Sequence, residues 1–307
     1  MEHIDFGKKK KTFSRGFLIF LLGFLGLLGL STGISWLLPD KMTGAPGKLA
    51  LVEIKGVISD STEIVRQLVK FRRDNDIRGI VLRINSPGGA VGPSQEIYDE
   101  VLRIRESDKM IFASLGSTAA SGGYYIASPA HRVFANPGTL TGSIGVIMAF
   151  SNIEELMGKI GLRPEVVKSG EFKDSGSPLR PMTSKERKLL QGVVDDVHQQ
   201  FVEAVARGRN LPIEEVKKVA DGRIFTGRQA HRLKLVDQLG GLQETIDNLA
   251  EKVSIPGIPK IIKERERPSF LDFLLQNSIY QYVEKSMISR AFPPTLQYLW
   301  PLGYQSF

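Results

Sequence analysis

From Lys48 onward the chain alternates short apolar runs with segments whose apolar residues recur every three or four positions. KLALVEIKGVI, Lys48 to Ile58, is rich in branched residues and predicts a strand. STEIVRQLVKFRRD, Ser61 to Asp74, places Ile64, Val65, Leu68 and Val69 on one face of a helix. IRGIVLRIN, Ile77 to Asn85, reads as a buried strand bounded by the turn-rich SPGGAVGPS. SQEIYDEVLRIRES is a second amphipathic helix, with Ser94 as its N-cap. KMIFASL, Lys109 to Leu115, is a further strand, and the small-residue turn GSTAA follows it, leading to a helix that begins at Ser121.

HRVFANPGTLTGSIGVIMAF mixes turn signals with strand residues. NIEELMGKIG predicts a helix and RPEVVKSG a short strand. TSKE, Thr183 to Glu186, has the spacing of a capping box and opens a long helix to about Arg207. PIEEVKKVA, GRQAHRLKLV and LQETIDNLAEKV continue the helical pattern. Strands and helices in alternation imply an α/β domain with a largely parallel sheet and right-handed crossovers.

The two ends have a different character. Phe17 to Leu38 is apolar and uncharged, long enough to cross a hydrocarbon core of roughly 30 Å. It follows KKKKTFSR and ends beside Trp36, so the pattern is that of an anchor with a cytoplasmic N-terminus. The length of the run and the lack of an A-x-A-like site favour a retained anchor over a cleaved signal peptide. The expected organisation is therefore a basic N-terminus (1–16), a transmembrane anchor (17–38), a linker (39–48), a domain outside the cytoplasm (49–260) and a tail (261–307). The tail carries apolar residues in helical spacing and then PPTLQYLWPLGYQSF. Packing on the domain or a neighbouring subunit, contact with a membrane surface, and occupation of the protein's own active site are its three readings.

Composition narrows the chemistry. The net charge of +8 is partly placed at the two ends, and no nucleic-acid motif accompanies it. There is no cysteine, which removes thiol catalysis, disulfides and thiolate metal sites together. The four histidines, His3, His131, His198 and His231, form no metal spacing such as HExxH.

Three segments could carry a reaction. In NSPGGAV, Gly88 and Gly89 follow a strand, where a backbone turn can aim N–H groups at a developing oxyanion; an ordinary tight turn has the same sequence. In STAASGGYYIAS, Ser121 stands where a helix N-terminus favours transient negative charge, but also where a capping serine is common. A nucleophilic serine needs a base, and His131 or His198 could supply one, although no motif places an acidic partner. Lysine is the other option. It is ordinarily charged at neutral pH, so the role requires a water-poor setting without a close carboxylate. Lys168 and Lys173 in VKSGEFKDSGSPLRPMT are candidates, and Asp174 stands as an objection to Lys173.

NSPGGAV, STAASGGYYIAS, GTLTGSIGV, VKSGEFKDSGSPLRPMT and DGRIFTGRQAHRLKLVDQLGG occur in this order. Together they resemble the signal peptide peptidase A family of membrane serine peptidases, over about Leu49 to Ala250 and with the N-terminal anchor. The resemblance implies a Clp protease/crotonase-type fold, with a largely parallel sheet and flanking helices, preceded by one transmembrane helix. It implies a Ser-Lys dyad in which Ser121 is the nucleophile and Lys173 the general base. Ser143 would position the lysine amine, Gly88 would donate to the oxyanion, and Gly89 would shape the same turn. It further implies the short form with Ser and Lys in one domain, and assembly into a ring or dome of identical subunits. His131 stands near a position where the family often carries an acidic residue.

The expected activity is that of a membrane-anchored serine endopeptidase acting on remnant signal peptides and other apolar segments. Its catalytic domain would lie on the extracytoplasmic side of the cytoplasmic membrane. Neither a metal nor an organic cofactor is implied, and nucleic acid is not an expected partner. An acyl-CoA hydratase or isomerase on the same fold, and a catalytically silent membrane scaffold, are the alternatives from other classes.

Overall fold

The computed structural model describes residues 47–264 and 297–299; the anchor segment 17–38 and most of the tail lie outside them. Among the described residues, no helix is long and apolar enough to cross a membrane.

The frame is an eight-stranded sheet. Its main strands are β1 (Lys48–Lys55), β2 (Ile77–Ser86) and β4 (Met110–Ala120). The sheet path runs β7-β6-β4-β2-β1-β9, with β6 at Leu140–Gly142, β7 at Ile224–Thr226 and β9 at Lys260–Ile262. β5 (Arg132–Ala135) pairs with β4 and with β8 (Gln238–Leu239). All pairings are parallel except β6 with β7. β9 pairs with β1, so the sheet continues past residue 260.

Parallel strands are buried on both faces, which is why β1 and β2 read as near-continuous apolar runs. Alternate residues serve two cores. Ala50, Val52, Ile80, Leu82 and Ile84 face the larger one, shared with helices α1 (Thr62–Arg73), α2 (Val91–Arg105), α3 (Gly122–Ala127) and α5 (Ser184–Arg209). Leu49, Leu51, Val81 and Phe112 face the smaller one, closed by α8 (Leu242–Lys252) through Ile246 and Leu249. The remaining helices are α4 (Glu154–Lys159), α6 (Ile213–Lys217) and α7 (Gly227–Arg232).

Three local expectations are corrected. β4 does not stop at Leu115 but runs through GSTAA to Ala120, because Thr118, Ala119 and Ala120 pair with β6. α2 starts at Val91, not after Ser94; Pro93 is tolerated in a first turn, where N–H groups have no partner to lose. Ser94 is therefore inside the helix, buried, and its hydroxyl donates to Ala90 O at 2.8 Å. RPEVVKSG forms no strand, and its Val167 is fully exposed at 102%. The capping box at Thr183 is formed as expected: the Glu186 N–H donates to the Thr183 hydroxyl, and the Thr183 N–H to the Glu186 carboxylate.

Leu249 is fully buried, and its side-chain carbons lie 3.1–3.2 Å from where a Cβ on Gly79 would stand. Leu249→Ala is expected to destabilise the domain by about 2–5 kcal/mol, read as a lower denaturant midpoint at unchanged slope. A loss under about 1 kcal/mol would show that α8 does not close the second core.

Candidate active site

β4 divides the sheet. Its first half pairs with β5 through Phe112–Leu115, and its second half with β6 through Thr118–Ala120. Ala120 lies opposite Gly142, so Ser121 and Ser143 leave neighbouring parallel strands at the same level. Both turn out of their strands with positive φ, 53° at Ser121 and 51° at Ser143. For a residue with a side chain this conformation costs on the order of 1–3 kcal/mol and persists only where the surroundings enforce it. Here the Ser121 N–H donates to Gly142 O at 2.8 Å, and the Ser143 N–H to Arg223 O at 2.9 Å. Both serines are buried, at 1% and 6% exposure.

Ser121 occupies the N-cap position of α3, but its side chain makes no capping hydrogen bond. Its carbonyl accepts from the Tyr125 N–H at 2.8 Å and so begins the helix with backbone alone. The hydroxyl is left for other work.

At the next two residues a β-carbon has little room. A Cβ on Gly122 would lie 2.8 Å from Ser94 Oγ, 3.2 Å from Gly89 N and 3.3 Å from Gly88 Cα. One on Gly123 would lie 2.9 Å from Ser86 O. The serine turn is thus seated directly against the Gly88–Gly89 turn, which forms the short strand β3 (Gly88–Ala90). Gly88 has φ 104°, a conformation that side chains rarely adopt. Its N–H donates to the buried Ser86 Oγ at 3.0 Å. On one edge of β3 the Ile58 N–H donates to Gly88 O at 2.9 Å and the Ala90 N–H to Ile58 O at 2.7 Å. Strand alternation then turns the N–H and C=O of Gly89 to the opposite edge.

The histidines fall differently. His131 sits at the start of β4, where the Ile111 N–H donates to its Nδ1 at 3.2 Å and its own N–H donates to Ile111 O at 2.9 Å. Ser121 lies ten positions beyond Ile111 along the strand, roughly 30 Å, so His131 is removed as a base for this serine. Burial pushes its imidazole below its usual pKa. His198 on α5 shares a cavity of about 340 Å³ with Ser143, lined also by Asp195, Asp221 and Gln191. Among the described residues its buried Nε2 has no hydrogen-bond partner.

Lys173 lies in the segment between α4 and α5 and is exposed. Its backbone N–H donates to Gly170 O at 3.2 Å, and among the described residues no hydrogen bond joins its amine to Ser121 or Ser143. Asp174, the objection raised by the sequence, is engaged elsewhere. Its carboxylate accepts from Arg180 at 2.8 and 3.0 Å and from Lys168 at 2.6 Å. These hydrogen bonds, Arg180 first, hold its carboxyl well below the usual carboxylate range. Arg180 also pairs with Glu186, which caps α5, so the loop is tied to the helix start. Glu186 is lowered from 4.5 to about 2, chiefly by Arg180 and then by the Thr183 N–H. The folded carboxyl is the stronger acid. The tie is therefore complete above the ordinary carboxylate pKa and is lost as pH falls towards 2.

The stretch from Ile147 through α4 to Phe172 exposes large apolar side chains: Ile147, Leu156, Ile160, Val166 and Val167 are each more than 40% accessible, and Phe172 beside Lys173 is 43%. With Lys185, Lys188, Leu189 and Val193 of α5, Phe172 lines an open apolar groove.

Comparison with known proteins agrees with this frame. The family model described as peptidase family S49 matches residues 103–256, and that for Clp protease matches residues 50–139. A protein named as a protease in Synechocystis is 45% identical over 199 residues, covering 64% of this chain and 72% of the relative. An Enterococcus faecium protein named as signal peptide peptidase SppA is 35% identical over 248 residues, 76% of this chain and 72% of the relative. The chloroplastic serine protease SPPA of Arabidopsis thaliana is 33% identical over 243 residues, 74% of this chain but 36% of that longer protein. With a Clp protease-like sheet whose central strand delivers a buried serine onto a glycine turn, the chain belongs to peptidase family S49, as a serine peptidase of the SppA type.

Proposed function

We propose that the protein is a membrane-anchored endopeptidase with a Ser121–Lys173 dyad, acting on extended apolar peptides such as remnant signal peptides. The observation that carries the reading is the seating of Ser121: buried, held at positive φ, uncapped, and followed by a glycine packed against Gly89 N. A carbonyl carbon brought to Ser121 Oγ would have its oxygen within reach of backbone N–H groups from both turns.

In this mechanism Ser121 Oγ attacks the peptide carbonyl as the neutral Lys173 amine takes the hydroxyl proton. The N–H groups of Gly89 and Gly122 stabilise the tetrahedral oxyanion. Gly89 is the better placed of the Gly88–Gly89 pair, since the Gly88 N–H is already given to Ser86. Lys173 then protonates the leaving amine as the C–N bond breaks. Water, deprotonated by the same amine, hydrolyses the acyl-enzyme and releases the acid. Ser143 on the adjacent strand holds the lysine amine. The Arg180 and Lys168 pairs on Asp174 support the lysine's role, because they keep the neighbouring carboxylate from fixing the ammonium form.

Ser121 is buried while Lys173 is exposed beside apolar side chains. That contrast supports a ring or dome of identical subunits in which the apolar segment around Phe172 meets a second copy, bringing its lysine to the neighbour's serine. Anchoring rests on Phe17–Leu38 and places the domain outside the cytoplasm.

Ser121→Ala and Lys173→Ala are each expected to abolish cleavage of an apolar peptide without changing assembly. Mixing the two inactive proteins and letting subunits exchange is expected to restore part of the activity, since a mixed interface pairs an intact serine with an intact lysine. Failure to recover, with exchange verified by labelled subunits, would place the dyad within one chain.

Gly122→Ala is expected to lower kcat about 10²–10³-fold through displacement of the backbone donors, with the fold retained in circular dichroism. Near-normal turnover would remove the two glycine turns from the oxyanion site. Deleting residues 1–38 is expected to move the protein from the membrane to the soluble fraction while peptide cleavage persists; continued sedimentation with membranes would place the anchor elsewhere.

A further inference from the structure

The glycine turn is held from behind. In the segment 56–61, which joins β1 to α1, the Ile58 N–H donates to Gly88 O at 2.9 Å and Ile58 O accepts from the Ala90 N–H at 2.7 Å. A Cβ on Gly89 would lie 2.0 Å from Ile58 O and 2.5 Å from Ile58 N, so the two backbones are in direct contact. The place of Ile58 therefore sets where Gly89 stands against the serine turn, its N lying 3.2 Å from the position of a Gly122 Cβ. The Ile58 side chain is packed in the larger core, but the segment is open on its outer side. Gly56 turns at φ 70°, Val57 is 59% exposed, and a cavity of about 480 Å³ runs along Val57, Ile58, Asp60 and Ile64.

The far end of this segment is tied by Ser61. Like Ser121, it stands at the N-cap of a helix, here α1, and its side chain makes no capping hydrogen bond. Asp60 takes that role and accepts from the Thr62 N–H at 2.9 Å. The Ser61 hydroxyl, on a residue 4% exposed, instead donates to the carboxylate of Glu96. Glu96 lies on α2, the helix that β3 runs into at Val91. The contacts close a circuit: β3 leads into α2, Glu96 holds Ser61, and Ile58 returns to β3. A hydrogen bond to an ionised acceptor is stronger than a neutral one, which suits it to hold a segment that is open on one side. A reacting group misplaced by about 1 Å can cost on the order of 10²-fold in rate, so a backbone donor at an oxyanion needs such a hold.

We propose that Ser61 and Glu96 are a positioning pair for the reaction: their hydrogen bond clamps Ile58 onto β3 and so places the Gly89 N–H at the oxyanion. This rests on the oxyanion role given above to that turn. A pair that merely joined α1 to α2 would leave turnover unchanged.

The test uses the full chain with Ser61→Ala and, separately, Glu96→Ala. Ser61→Ala strands no buried polar group, since Glu96 is exposed to water, so its denaturant midpoint is expected to change little. Hydrogen exchange at the Ala90 amide, which donates to Ile58, reads the clamp without reference to catalysis. Both variants are expected to exchange this amide faster and to lower kcat for an apolar peptide about ten- to a hundredfold at unchanged KM. Binding of a peptide aldehyde is expected to weaken by the same factor, because its tetrahedral adduct on Ser121 uses the oxyanion position and the intact peptide does not. Ser61→Thr and Glu96→Gln, which keep a donor and an acceptor, are expected to recover most of all three. Unchanged Ala90 exchange in both alanine variants, whatever the turnover, would overturn the inference and leave the peptidase reading standing. Faster exchange at unchanged kcat would overturn it by removing β3 from the oxyanion site. An unaltered chain that neither cleaves peptide nor binds the aldehyde would sink the peptidase reading, and the inference with it.

Discussion

The structure turns on one backbone hydrogen bond, from the Ser121 N–H to Gly142 O. It ties the end of the central strand to its neighbour at the point where both chains leave the sheet at positive φ. Together with the Tyr125 N–H on the Ser121 carbonyl, it holds a side-chain-bearing residue in that conformation at the mouth of a helix. Because it holds, Gly122 is pressed against Gly88 and Gly89, where a β-carbon has no room, and two backbone turns distant in sequence become one polar wall. The eight-stranded frame fixes the strands that this contact joins.

The division of β4 between two partners makes the contact possible. Its first half is buried between β2 and β5, while the second half carries small residues that let β6 approach. The segment that carries Lys173 is built differently. Lys173 sits on a loop tied through Asp174, Arg180 and Glu186 to the start of α5, next to the exposed Phe172. The proposed dyad would join this exposed lysine to the buried serine of a neighbouring subunit.

Much of this is legible in the sequence where the cause is local. β1, β2 and α1 follow from apolar periodicity, and the box at Thr183 from four adjacent residues. Ser121 and Ser143 are marked by the glycines around them. What is not legible depends on distant partners. Gly116 to Ala120 read as a turn because small residues there give little strand signal, yet β6 pairs with Thr118, Ala119 and Ala120. RPEVVKSG has strand-forming residues and no neighbour, so it stays irregular. Ser94 resembles a cap because Gly92 and Pro93 resemble a break, but the helix begins before them. That Asp174 turns to Arg180 rather than Lys173, and that Gln297–Leu299 lies on β3, are contacts no local pattern encodes.

The most direct measurement is covalent labelling of the intact protein with a serine-directed fluorophosphonate, the adduct located by peptide mass spectrometry. A single adduct on Ser121, absent in Ser121→Ala and strongly slowed in Lys173→Ala, is the predicted result. An adduct on another serine, or labelling of Ser121 at full rate without Lys173, would contradict the dyad.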